Sequence, residues 1–239
     1  MYNVFEVIYL KRLIRILINI ILISILILSG YKIYTKLAEY KKADIVYSDI
    51  REKSENKDKY SELTKINTDY RFWIKVNNTN IDYPVVQGND NEYYLTHDFN
   101  KEYLASGSIF MDYRNNFEED KSNIIYGHYM RNKTMFGELV NYKDENFFNE
   151  NNLINIEYKG KTYTYQVFSV YVADLTKDYL KVDFENDKEY QNYINYITNR
   201  SMYKSNLQIS KEDKIITLYT CSYEFKDART IVHAKLISE

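Results

Sequence analysis

KIITLYTCSYEFKDARTIVHAKLI, residues 214–237, holds the only cysteine of the chain between two runs rich in β-branched and apolar residues. Residues 214–221 and 229–237 each have the length and composition of a strand, and the polar stretch 222–228 separates them as a hairpin loop. In such a hairpin the last residue of one strand faces the first residue of the next. The pattern therefore sets Cys221 opposite Arg229 across the loop mouth. A permanent positive charge beside a thiol favours the thiolate, and the thiolate is the nucleophile. A lone cysteine is also often packed as a small buried hydrophobe. Its place at a strand end beside an arginine argues for chemistry instead.

Outward from the hairpin, the strand signals are frequent. Residues 72–76 and 81–86 flank the turn-prone NNTN, residues 107–113 and 123–127 follow, and residues 153–158 and 162–173 flank Lys159-Gly160. Pro84 inside the second run calls for an edge or a bulge there, because proline cannot donate to a ladder. Two helical patterns interrupt the series, residues 134–142 and residues 188–199, the latter with Tyr190, Tyr193, Ile194 and Ile197 on one face. With 27 tyrosines and 11 phenylalanines, these runs predict a mainly β fold, a closed or nearly closed barrel of about eight strands with a few peripheral helices.

Residues 13–28, LIRILINIILISILIL, are nearly all Leu and Ile. Extended through Tyr34, the segment would span about 33 Å as a helix, enough to cross a bilayer. Arg15 and Lys32 lie near its ends, where long basic side chains reach the interface. A cleaved signal peptide is the rival reading, but no small-x-small site follows the apolar run, Ser29-Gly30 being the nearest small pair, so the sequence favours an uncleaved signal anchor. Lys11, Arg12 and Arg15 precede the span and Lys32, Lys36, Lys41 and Lys42 follow it, so charge bias alone does not orient it. The expected organisation is a cytoplasmic N-terminus over 1–12, a transmembrane anchor over 13–34, a charged helical spacer over 35–65 with SENKDK (54–59) as its most solvated piece, and a folded domain over 66–239. A net charge of −2 gives no reason to invoke nucleic acid. A single cysteine excludes an intramolecular disulfide.

Only three histidines are available as a base for the cysteine. His128 ends the apolar run NIIYGH, where Gly127 allows close backbone approach and the side chain is delivered at a strand end. His97 lies in the polar segment THDFNKE and reads as loop decoration. His233 follows Arg229 by four residues of strand, about 13 Å further along, so the spacing favours His128. A zinc site of three His and one Cys lacks the short ligand pairs such sites use. No acidic cluster marks a calcium site, and no metal or other cofactor is expected.

Thr217-Leu218-Tyr219-Thr220-Cys221 resembles the TLxTC signature of sortases, with Arg229 on the next strand where their arginine follows and Tyr126-Gly127-His128 matching their histidine. The stretches IDYPVVQ (81–87), GSIFMDYR (107–114) and KTMF (133–136) resemble class B sortases of Gram-positive bacteria. The resemblance covers residues 70–237, with the anchor and spacer also as in that class. Two departures stand out. Tyr219 replaces a small serine, and Ser222 follows the nucleophile where some members carry an acidic residue.

The resemblance implies a closed eight-stranded barrel and a membrane-anchored cysteine transpeptidase whose catalytic domain faces the extracellular side. Such an enzyme cleaves secreted proteins after Thr in a C-terminal signal of the Asn-Pro-x-Thr-Gly or Asn-Pro-x-Thr-Asn kind, holds the acyl part as a thioester and passes it to a peptidoglycan amine. His128, Cys221 and Arg229 would be its catalytic residues. Asn91 and Leu95 match positions that contact the sorting motif. Tyr126 and Tyr219, two residues before His128 and Cys221, would share their faces, and Thr220 and Ser222 flank the nucleophile as further candidates. Asp112 and Asp227 are candidates for the third member of a papain-like arrangement, or pair with Arg114 and Lys226. Two other readings remain: a cysteine endopeptidase that releases product to water, and a surface-anchored binding module with an inert cysteine.

Overall fold

Among the described residues, eight strands form where the β-branched and aromatic runs lie: β1 (Tyr70–Val76), β2 (Asp82–Val86), β3 (Ile109–Met111), β4 (Ser122–Tyr126), β5 (Leu153–Tyr158), β6 (Lys161–Asp174), β7 (Ile215–Cys221) and β8 (Ala228–Ser238). The helices are α1 (Val4–Lys53), α2 (Lys59–Ile66), α3 (Glu145–Glu150) and α4 (Asp187–Asn199). The computed structural model describes residues 4–54 and 58–239. Residues 55–57 of the solvated stretch expected at 54–59 therefore lie outside the described residues. The chain divides into two units, Met1–Asp44 and Ile45–Glu239.

In the first unit, α1 carries the apolar run with its side chains exposed throughout. Among the described residues it is one helix long and apolar enough to cross a membrane. In the second unit the strands close in the order β1-β2-β3-β4-β7-β8-β6-β5. The ladders β2–β3 and β4–β7 are parallel, and all the others are antiparallel. Closure removes free sheet edges, and the expected mainly β barrel is the observed fold. Pro84 pairs with Trp73 on β1, while β3 reaches only Val85 and Val86, so the proline sits where one side of its strand has no ladder.

Two local expectations need correction. The strand expected over 107–113 is only three residues long, Ile109–Met111. Gly107 adopts φ +56° before it, and after it the Asp112 carboxylate accepts from the Arg114 amide, turning the chain. The helix expected over 134–142 does not form. Lys133 and Met135 take left-handed φ values of 65° and 51°, which a right-handed helix cannot include, and only a 3-10 turn at Leu139–Lys143 follows. The apolar pattern there reflects burial without a helix: Met135, Phe136, Leu139 and Tyr142 are all inside.

α4 starts at Asn186, whose side chain caps the Glu189 amide. Its buried Tyr190, Tyr193, Ile194 and Ile197 pack on Phe168 and Tyr171 of β6, Ile215 of β7 and Ile231 of β8. Each such side chain contributes on the order of 1.5–3 kcal/mol by leaving water. His233 of β8 is fully buried under this layer, hydrogen-bonded to Thr217 Oγ1 (2.9 Å) and Tyr171 Oη (3.2 Å). Burial depresses its pKa to about 3. An unfolded histidine titrates near 6.5, so between pH 6.5 and 3 the unfolded chain binds the extra proton and stability falls as pH falls, by up to ~1.4 kcal/mol per unit. His233→Gln should flatten this slope. Urea midpoints of both proteins at pH 7, 5 and 4 measure the difference, and equal slopes would refute it.

Candidate active site

β7 and β8 pair so that Cys221 lies directly opposite Arg229, the register expected from the hairpin. The loop between them is one residue shorter than the polar stretch, because Ala228 already belongs to β8. Side chains two apart on a strand share a face, which brings Tyr219 alongside Cys221. The Arg229 guanidinium sits 5.9 Å from the Tyr219 ring centroid and donates to the Ala228 carbonyl at 2.9 Å. Cys221 is half-buried, at the end of its strand.

His128 reaches the same place from a neighbouring strand. β4 runs parallel to β7 with Tyr126 paired to Tyr219, and the Gly127 amide extends the ladder onto the Tyr219 carbonyl at 3.1 Å. His128 thus emerges two residues beyond Tyr126, as Cys221 does two residues beyond Tyr219, at the same end of adjacent strands. Gly127 is required here because a Cβ would meet the buried Phe136 ring at 2.7 Å.

The His128 ring is fixed by Nε2, which lies 2.8 Å from the Leu95 carbonyl. A carbonyl only accepts, so Nε2 carries a proton, and in the neutral ring Nδ1 is the free base. The Leu95 carbonyl is itself held by tight packing. Gly107, at φ +56°, passes so close that a Cβ would lie 2.3 Å from the Tyr94 oxygen and 2.6 Å from the Leu95 oxygen. Gly107→Ala should therefore cost about 1–3 kcal/mol in backbone strain alone, and in addition displace the carbonyl that orients His128. Thermal unfolding and kcat should fall together; a variant with normal values of both would contradict this account.

Tyr126 meets Tyr219 edge-on at 5.1 Å and donates to Asp112 Oδ2 at 2.9 Å. Asp112 is completely buried, and Arg114 and the Asn91 amide also donate to it. Burial alone would raise its pKa, but these donors, Arg114 foremost, hold the carboxyl below the ordinary range. Burial and the Asp112 charge push the Tyr126 phenol up, keeping it a donor. Asp112 therefore orients Asn91 and Tyr126.

Of the candidates named from sequence, Cys221, Arg229, His128, Tyr219, Tyr126 and the Leu95 carbonyl come together, and Asn91 joins them through Asp112. Thr220 alternates to the opposite face and is buried, with no partner for its Oγ1. The Ser222 hydroxyl is buried among Lys143, Glu224 and Thr230. Asp227 lies in the exposed β7–β8 turn at φ +61°. His97 stacks on Tyr93 at 4.0 Å in the loop expected for it. Sequence reasoning passed over Lys143 and Glu224, which are 81 residues apart and joined only by the fold.

The arrangement lies within a region, residues 74–237, that matches the family model of the sortase domain. Sortase B of Staphylococcus aureus is 35% identical over 239 residues, 95% of this chain and 98% of that protein. The X-ray structure of Clostridium perfringens sortase B is 45% identical, covers 75% of this chain and 100% of its own, and superposes with a TM-score of 0.73. A Staphylococcus aureus sortase B–substrate complex is 34% identical, covers 84% of this chain and 99% of its own, and has a TM-score of 0.77.

Proposed function

The chain belongs to the sortase family, within class B, and from that premise we propose how its own residues carry out transpeptidation. The observation that carries the proposal is the register of three adjacent strands, which sets Cys221 opposite Arg229 and beside the strand that delivers His128.

In the first half-reaction the Cys221 thiolate attacks the threonine carbonyl of a sorting signal of the Asn-Pro-x-Thr-Gly or Asn-Pro-x-Thr-Asn kind. The Thr C–N bond breaks, a thioester forms, and imidazolium His128 gives its proton to the departing amine. In the second half-reaction an amine attacks the thioester, His128 accepts the amine's proton, and an amide is released with the thiolate restored. The amine belongs to peptidoglycan or its precursor. Arg229 keeps its charge throughout and so serves as neither acid nor base. It holds substrate backbone and stabilises the developing oxyanion. Asn91, Leu95, Tyr126 and Tyr219 border the path of the peptide. The Staphylococcus aureus relative solved with a substrate supports a protein signal as the donor here too.

Residues 13–34 anchor the enzyme by a single span, with 1–12 cytoplasmic and the barrel outside. A one-sided position suits an enzyme that joins secreted proteins to the wall. The test is to incubate the full chain in detergent with both peptide types, with and without oligoglycine or a diaminopimelate-type amine, and to identify products by mass. Cleavage after Thr diverted to an amide by the amine is the expected result. Cleavage with product only to water would favour an endopeptidase. No cleavage of either peptide, with Cys221 no more reactive than in unfolded chain, would favour the binding module.

A further inference from the structure

The turn that begins one residue after the nucleophile is tied by an ammonium group to a segment about 80 residues away in sequence. Lys143, the last residue of the 3-10 turn Leu139–Lys143, places Nζ 2.8 Å from Ser222 Oγ and pairs with the Glu224 carboxylate. Ser222 donates its hydroxyl proton to Glu224 and accepts from Thr230 Oγ1 at 3.1 Å. Its one donor and two acceptor sites are thus all used. The Ser222 amide closes the turn onto the Ala228 carbonyl at 2.9 Å.

Lys143 is a prepared base for this contact. Its carbonyl accepts from the Tyr203 phenol, and the neighbouring Tyr142 is fully buried with Oη bonded to the Asn151 carbonyl at 2.9 Å. The lysine side chain is 20% exposed against 42% for Glu224, so the less accessible partner is the one fixed on a rigid element. Burial opposes ionisation of Glu224, yet Lys143 and Ser222 bring its pKa down to about 2.

We propose that Lys143 is a positioning residue for the reaction, which fixes through Ser222 and Glu224 the backbone that follows Cys221. This rests on the transpeptidase reading, because the turn matters through the nucleophile it adjoins. The ammonium also offsets the Glu224 charge three residues from the thiol. Without it, an uncompensated carboxylate would disfavour the thiolate.

The test compares Lys143→Met, which keeps most of the stem, with Lys143→Arg, whose fork can bridge the same two oxygens. Both are made in the full chain in detergent. Lys143→Met should lower kcat by about 10–100-fold with KM near that of the parent, and Lys143→Arg should recover most of the loss. Alkylation of Cys221 by iodoacetamide at neutral pH should slow several-fold in Lys143→Met and not in Lys143→Arg. An unchanged kcat, a loss confined to KM, or a loss that arginine does not restore would overturn the proposal. If the parent chain turns over no peptide, the transpeptidase reading fails by itself. The alkylation rates then decide the role of Lys143, equal rates in all three proteins overturning it.

Discussion

Cys221→Ala should abolish turnover, with peptide cleavage and amide formation both falling to the uncatalysed level. The expected loss is the largest of any substitution, because the thiolate forms the covalent bond that divides one difficult acyl transfer into two easier ones. No other side chain can substitute, since the chain has a single cysteine. The fold should be unaffected. Cys221 is half-buried at the end of β7, and alanine keeps its backbone pairing to Arg229. Kinetics with an amine acceptor, beside a thermal unfolding curve, measure both halves of this expectation. Residual turnover within tenfold of the parent would mean that another nucleophile does the work.

His128→Gln should be nearly as severe in rate and far milder in binding. Glutamine retains an amide N–H to offer the Leu95 carbonyl, which His128 Nε2 meets at 2.8 Å, but it cannot accept or release a proton at neutral pH. Loss of general acid–base catalysis is worth roughly 10²–10⁴ in kcat, with KM little changed. The departing amine then has no positioned acid to protonate it, so acylation should lose its general-acid assistance. Normal kcat in His128→Gln would remove His128 from the chemistry and reopen the choice of base. His233 would not be the replacement, since it is fully buried and held neutral by its surroundings.

How legible this was depends on how local each relation is. The pairing of Cys221 with Arg229 is a hairpin relation, set by two strands and the short loop between them, and counting residues finds it. α4 was equally plain, because Tyr190, Tyr193, Ile194 and Ile197 repeat at helical spacing and all four are buried. The approach of His128 to Cys221 depends on a parallel ladder between β4 and β7, strands far apart in sequence with much of the barrel between them. Local pattern only ranked His128 above His233; the resemblance supplied the match. The apolar spacing over 134–142 predicts a helix that does not form, because a left-handed non-glycine residue such as Met135 leaves no compositional mark. The bridge from Lys143 to Ser222 and Glu224 is likewise invisible until the fold closes, as is the role of Asp112 in holding Asn91 and Tyr126.

The central claim is that Cys221 carries the acyl group between donor and acceptor. Its most direct test is the intact mass of the full chain, quenched with acid during turnover of a sorting-signal peptide without amine, followed by addition of the amine. The account predicts a mass increase equal to the peptide's N-terminal fragment through threonine, located on Cys221 and discharged as an amide when the amine is added. Turnover with no such adduct on Cys221, or an adduct that the amine leaves in place, would contradict it.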